Sequence, residues 1–349
     1  MTEKDLRYVI SVLKGQKPQD EPDYYSVLGF LHWHRVAGMF YAKSATSGAV
    51  LPHKVKKTLS ETFERQKRKT EFMRAQISGV AQKLMHGRIE HAFLKGSVLC
   101  NAPIGGKAIY ADGERVSNDA DLLVKPSGIS TVCEALRELG FTQGRYDPKG
   151  NGIIPFTRTE LLERRMTRGE VAPFVRLTDN AEFPFMEIDI NFSLGNTPED
   201  GRELLEYIVD SAREYAGKIK LIAPSPELFL LHLVMHQYKE SALYFSVERG
   251  KDLDLYKLAD IYYILREGVC DIAKAKAISE RFGVADRLGA VAAQAGEAFY
   301  DKSVLGMAEE LGGGQPAVTD YANKKRYAWK ATVRERLMLA DTVNRLKEV

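Results

Sequence analysis

Two aspartates one residue apart in an otherwise apolar run constrain this chain more than any other feature. The run is Ser117-Asn118-Asp119-Ala120-Asp121-Leu122-Leu123-Val124. A strand alternates its side chains, so residues 116–124 read as a strand with Asp119 and Asp121 on one face and Ala120, Leu122 and Val124 on the other. Residues 183–194 repeat the logic: Met186, Ile188, Ile190, Phe192 and Leu194 make an apolar face, and Glu187, Asp189, Asn191 and Ser193 the opposite one. Carboxylates side by side repel unless a cation lies between them, and hard oxygen ligands suit Mg²⁺. If the two strands are neighbours, Asp189 completes a three-carboxylate cluster. Such a cluster can hold two metals about 3.5 to 4 Å apart, activating an attacking oxygen and stabilising a leaving phosphate. Either strand taken alone reads equally well as a half-exposed strand with its polar face in water.

Length and composition leave room for that chemistry. A chain of 349 residues, 44% hydrophobic and 28% charged, falls in the soluble globular range and can bury a core. No run of roughly 18 apolar residues predicts a membrane span, and the charged N-terminus MTEKDLRYVI argues against secretion. Cys100, Cys133 and Cys270 lie far apart with no CxxC pair, a poor disulfide framework that fits a reducing cytoplasm. The net charge of +3 demands no nucleic-acid partner.

The fold expected is α+β, a small mixed sheet flanked by helical regions at both ends. Residues 1–90 read as helical. Residues 25–41 mix apolar positions with His32, His34 and Arg35, and residues 53–91 form a long helix or broken pair, with no Pro and no Gly before Gly79. A core of residues 91–222 follows, opening on the apolar run Ala92-Phe93-Leu94 and then Lys95-Gly96-Ser97, after which Val98 begins a helix. Residues 131–139 predict a helix closed by Gly140. From 223 to 349 the chain reads as helical again. Ser225-Pro226-Glu227 supplies an N-cap, a first-turn proline and a first-turn acid; residues 251–267 carry helical spacing. Gly312-Gly313-Gly314 marks a linker, and a basic amphipathic helix from about Lys324 closes the chain.

The Gly96-Ser97 turn, between a short strand and a helix, can cradle a phosphate on its backbone N–H groups, with Lys95 adding charge. Gly105-Gly106-Lys107-Ala108 is no Walker A loop, and no GxGxxG occurs. Taken in order, the Gly-Ser turn, Asp-x-Asp strand and later acid resemble the DNA-polymerase-β-type nucleotidyltransferase superfamily. Over roughly residues 28 to 265 the chain most resembles the bacterial uncharacterised nucleotidyltransferase family. The matching segments are His34-Arg35-Val36, Leu94-Lys95-Gly96, Arg115 with Asp119 to Val124, Asp189-Ile190-Asn191, a helix ending at His236, and Leu258-Ala259-Asp260. Asn191 stands where that group usually has His. The resemblance implies transfer of a nucleoside monophosphate from a nucleoside triphosphate to a hydroxyl acceptor, with release of pyrophosphate. It implies Mg²⁺ or Mn²⁺ on Asp119, Asp121 and Asp189, with Asp189 helping to deprotonate the acceptor. Gly96 and Ser97 would hold the β- and γ-phosphates, and Lys95 and Arg115 would partner their charge.

Other motifs are weaker. His232 and His236 share a helical face, but position 233 is Leu rather than the Glu of HExxH, so core or supporting histidines are expected. His32 and His34 point in different directions. Lys324, Lys325, Arg326, Lys330, Arg334 and Arg336, near Tyr327 and Trp329, form a basic cluster, by default a solvated face. If RNA is the acceptor, that cluster is the first patch to test and Arg164, Arg165 and Arg168 the second. The rival readings are an RNA-binding or tRNA-modifying, toxin-like protein and a catalytically silent partner in a biosynthetic cluster. The acceptor, whether small molecule, protein or RNA, and the oligomeric state are not written in these motifs.

Overall fold

Helix caps set the first elements. In this computed structural model, which describes residues 1–168, 170–195, 197, 199–339 and 343–349 (side chains of 165–168 and 170 excepted), Thr2 and Asp5 close a capping box on α1 (Glu3–Leu13). Asp23 caps α2 (Tyr24–Trp33). The segment expected as one helix over 25–41 is two, because Arg35 turns into the left-handed region at φ 56° before α3 (Ala37–Ser47). No glycine announces that break. The long helix α4 (His53–His86) carries through Gly79 and ends before Gly87.

The sheet follows. Strand β1 (Ala92–Leu94) leads into the one-turn helix α5 (Lys95–Leu99), then β2 (Ala120–Leu123), α6 (Ile129–Glu138), β3 (Thr142–Asp147), β4 (Gly152–Pro155), α7 (Arg158–Arg168), β5 (Glu170–Leu177) and β6 (Phe185–Asn191). Its order is β1-β2-β6-β5-β3-β4. Strands β2 and β6 pair in parallel and the other neighbours are antiparallel. The strand expected over 116–124 is shorter, beginning only at Ala120, so Asp119 lies on the approach loop. On β6 burial alternates as expected: Met186, Ile188 and Ile190 are buried, Glu187, Asp189 and Asn191 half-buried.

Helix α8 (Arg202–Ser211) and the hairpin β7 (Arg213–Ala216) and β8 (Lys220–Ala223) lead to α9 (Pro226–Ala242). Ser225 caps α9 as expected, with Pro226 in its first turn. Residues 227–235 of that helix are all buried. Then come α10 (Tyr244–Glu248), α11 (Leu255–Arg266), α12 (Ile272–Arg281), α13 (Ala285–Ala298) and α14 (Lys302–Glu310). Phe40, Phe93, Phe174, Phe229 and Phe299 belong to one continuous core, so the flanking helices and the sheet bury one another. No helix among the described residues is long and apolar enough to cross a membrane.

The C-terminal end corrects an expectation. The basic segment from Lys324 is not a helix. Lys324 turns at φ 55°, Asp320 accepts the N–H groups of Ala322 and Asn323, and β9 (Val318–Asp320) turns back into β10 (Lys325–Trp329). After α15 (Val333–Met338), β11 (Leu346–Glu348) completes the small sheet. Tyr327 stacks on Tyr244 at 5.4 Å and Trp329 lies under the Arg336 guanidinium at 3.6 Å. Two aromatics at alternate positions are strand pattern, and the Lys and Arg content masked it.

His34 ties three regions together. Its ring is 2% exposed; Nδ1 accepts from the Leu255 N–H at 3.3 Å and Nε2 meets the Leu337 carbonyl at 2.9 Å, so Nε2 carries the proton and donates. Burial pushes its pKa below the ordinary 6.5. Below about pH 6.5 the unfolded chain binds a proton that folded His34 refuses, so this contribution is present above that pH and lost as pH falls. Replacing His34 with Ala leaves two buried backbone groups unpaired and is expected to cost about 2–4 kcal/mol in urea unfolding. The same variant should lose part of the acid sensitivity seen in wild-type unfolding between pH 7 and 5.

Candidate active site

Register builds the site. Parallel pairing sets Asp121 opposite Asp189 on β2 and β6, and antiparallel pairing sets Leu94 opposite Asp121, so Lys95 leaves β1 beside that carboxylate. Lys95 Nζ donates to Asp121 Oδ1 at 2.8 Å, with only 4% of the Asp121 side chain exposed. Burial opposes the Lys95 charge, but Asp121 and then Asp119 outweigh it and hold its pKa above the usual lysine value. Lys95 adopts φ 47°, a strained setting for a long side chain.

Asp189 has no ion-pair partner among the described residues, and Lys95 acts on it only from a distance. Burial first, then Asp121, Asp119 and Glu187, push its carboxyl up to about 8. Burial and Asp119 likewise raise Glu187. Carboxylates crowded in one place cannot all ionise without a cation. Among the described residues no group of three His, Cys, Asp or Glu is already assembled so as to hold an ion. What stands is a carboxylate pair in register, with Asp119 nearby and Lys95 supplying the charge. In donor type and in charge, Asp119, Asp121 and Asp189 fit a hard divalent cation.

The Gly96-Ser97 turn is tighter than its sequence suggests. A Cβ on Gly96 would lie 2.4 Å from Ser117 Oγ and 2.6 Å from Ser117 Cβ, so only glycine lets the turn pass beneath the loop that carries Asp119. Ser117 Oγ donates to the Asp119 carbonyl at 2.8 Å and shapes that loop. Ser97 is 1% exposed, and its hydroxyl meets no hydrogen-bonding partner among the described residues.

Arg115 is held elsewhere than expected of a free phosphate partner. Its guanidinium grips Asp260 on α11, Nε to Oδ1 at 3.0 Å and Nη2 to Oδ2 at 2.9 Å, and lies 4.6 Å from the Tyr256 ring. Tyr110 also donates to Asp260, at 2.8 Å. Arg115 therefore fixes the start of the Asp119 loop against α11.

A cleft open to solvent lies over these groups. Lys95, Asp119 and Asp121 line one part of it; His236, Tyr256 and Lys257 from α9 and α11 line another. Gly96, Ser97 and Asp189 are not on its surface. His236 sits 3.7 Å from Glu240, and burial followed by Lys95 and Lys257 keeps it well below the usual histidine range, so it is neutral. His232 is buried, with neither ring nitrogen bonded among the described residues, and burial pushes it down to about 3. Sequence reasoning missed Tyr256, Lys257 and Glu240, which sit in ordinary helical positions; only the resemblance pointed toward Asp260.

Four members of the basic cluster, Lys324, Lys325, Arg326 and Lys330, are exposed. Arg336 is buried against Asp252 at 2.5 Å, Arg334 reaches Glu3 at 3.4 Å, and Lys325 pairs with Glu348 at 2.8 Å. Arg164 lies over the Phe156 ring at 4.6 Å; the side chains of Arg165 and Arg168 fall outside the described residues.

The site thus presents Asp121 and Asp189 on neighbouring strands, beside the Gly96-Ser97 turn. The sequence profile of the uncharacterised nucleotidyltransferase family matches residues 20–299, and the chain belongs to that family. Comparison with the curated proteins and with the solved structures found no match.

Gly96→Ala is expected to destabilise the fold by about 1–3 kcal/mol. Adding Ser117→Gly, which removes both clashing atoms, should recover part of that loss in a double-mutant cycle read by chemical denaturation.

Proposed function

We propose that this chain transfers a nucleoside monophosphate from a nucleoside triphosphate to a hydroxyl acceptor, with Mg²⁺ or Mn²⁺ held by Asp119, Asp121 and Asp189. The observation that carries the reading is the register of Asp121 opposite Asp189, together with a carboxyl at Asp189 pushed up to about 8. The acceptor oxygen bonds to the α-phosphorus, the bond from that phosphorus to the α,β-bridging oxygen breaks, and pyrophosphate leaves with both electrons. When bound, the ion supplies neutralisation of phosphate charge, the largest requirement of phosphoryl transfer.

The chain's own groups do the rest. In its ionised form Asp189 is the carboxylate placed to receive the acceptor's hydroxyl proton. Lys95 offers a cation that can turn from Asp121 to a phosphate oxygen. The Gly96-Ser97 turn lies behind the cleft surface and carries Lys95 into it. Arg115 acts through position, holding the Asp119 loop on Asp260. No disulfide joins Cys100, Cys133 and Cys270 among the described residues, in keeping with a cytoplasmic setting.

Incubation with each labelled nucleoside triphosphate and Mg²⁺ or Mn²⁺ should release pyrophosphate and label an acceptor in extracts. Asp119→Asn and Asp121→Asn should each lower that rate by at least about a hundredfold. Failure of all four nucleotides to bind, with metal affinity unchanged by Asp119→Asn, would overturn the proposal.

A further inference from the structure

Four cationic side chains border the cleft: Arg35, Lys95, Arg115 and Lys257. Three of them already have carboxylates. Lys95 holds Asp121 at 2.8 Å, Arg115 holds Asp260 at 2.9 Å, and Lys257 bridges Asp254 at 2.9 Å and Glu240. Arg35 is the exception, with no carboxylate at ion-pair distance among the described residues. Its guanidinium lies over the Tyr256 ring, 5.5 Å from the centroid, on the same ring that carries Arg115.

The backbone explains why the side chain is presented there. Arg35 sits at φ 56°, a conformation that long L side chains rarely adopt. Its neighbours impose it: His34 is locked through both ring nitrogens, and the Val36 N–H donates to the Leu31 carbonyl at 2.9 Å. A strained backbone held by its surroundings characterises ligand clamps. A guanidinium resting on an aromatic face keeps its N–H fork available in a geometry that matches phosphate oxygens.

An incoming polyphosphate must be met by positive charge that is not already neutralised. We infer that Arg35, contributed by the N-terminal helical region, binds the phosphate tail of the nucleoside triphosphate at the mouth of the cleft. The inference rests on the nucleotidyl-transfer reading and assigns to it a phosphate contact outside the sheet domain.

The test titrates the full chain, Arg35→Gln and Arg35→Gly with inorganic tripolyphosphate, with nucleoside monophosphates, and with α,β-methylene nucleoside triphosphates plus Mg²⁺. Both variants should bind tripolyphosphate and the triphosphate analogues at least about tenfold more weakly, with monophosphate affinity changed by less than about twofold. Arg35→Gly should keep the wild-type thermal midpoint or exceed it, because glycine adopts the left-handed backbone without strain. Unchanged tripolyphosphate and analogue affinity would overturn the inference and leave nucleotidyl transfer standing; so would an equal loss for mono- and triphosphate. Arg35-dependent binding of tripolyphosphate without binding of any nucleotide would keep the anion site and overturn nucleotidyl transfer. No binding of either probe by the wild-type chain would overturn both.

Discussion

Parallel pairing of β2 with β6 places Asp121 against Asp189, and the electrostatic cost of that placement governs what surrounds it. Two carboxylates side by side in a largely buried setting repel, and burial sharpens the repulsion by removing water. The protein meets the cost in two ways. Lys95, delivered to Asp121 by the adjoining pairing of β1, neutralises one charge. Asp189 retains a proton to about pH 8 and so avoids the other. A site arranged this way is less stable than an apolar sheet edge would be, which is the usual relation between stability and a preformed functional cluster.

The helical regions hold the loops that carry the charged groups. The start of the Asp119 loop is anchored by Arg115 on Asp260, a bidentate buried pair with Tyr110 completing the bonding of the carboxylate. Gly96 passes beneath Ser117 at a distance no other residue allows. His34 fastens the N-terminal region to α11 and to the C-terminal α15 through its two nitrogens. The cleft is thus built by all three regions, with cations and acids from the sheet facing helices on the other side. Breaking the Arg115–Asp260 pair leaves a buried charge unpaired, and losing the His34 ring leaves two buried backbone groups unpaired.

Much of this was legible from local pattern. Alternation on β6 showed which face held Asp189, and the Ser225-Pro226-Glu227 start of α9 was plain because capping is a local interaction. The strand neighbourhood that brings Asp121 and Asp189 together was only conditional, since pairing depends on contacts far apart in sequence. Arg115 was read as a phosphate partner, but its carboxylate lies 145 residues away on α11, beyond what spacing can reveal. The segment from Lys324 was read as a helix because Lys and Arg are good helix formers; the turn at Lys324 and the alternate Tyr327 and Trp329 decide for a strand. At Arg35 the backbone break is imposed by tertiary ties on His34, so propensity gave no sign of it.

We propose that the acidic cluster is a cation site at which Lys95 supplies the charge that an ion would bring. Titration of Mn²⁺ into the nucleotide-free protein, followed by electron paramagnetic resonance, tests it most directly. Lys95→Met should bind Mn²⁺ more tightly than wild type, because a competing cation has been removed, and Asp121→Asn should bind it far more weakly. Equal Mn²⁺ affinity in all three proteins would contradict the claim.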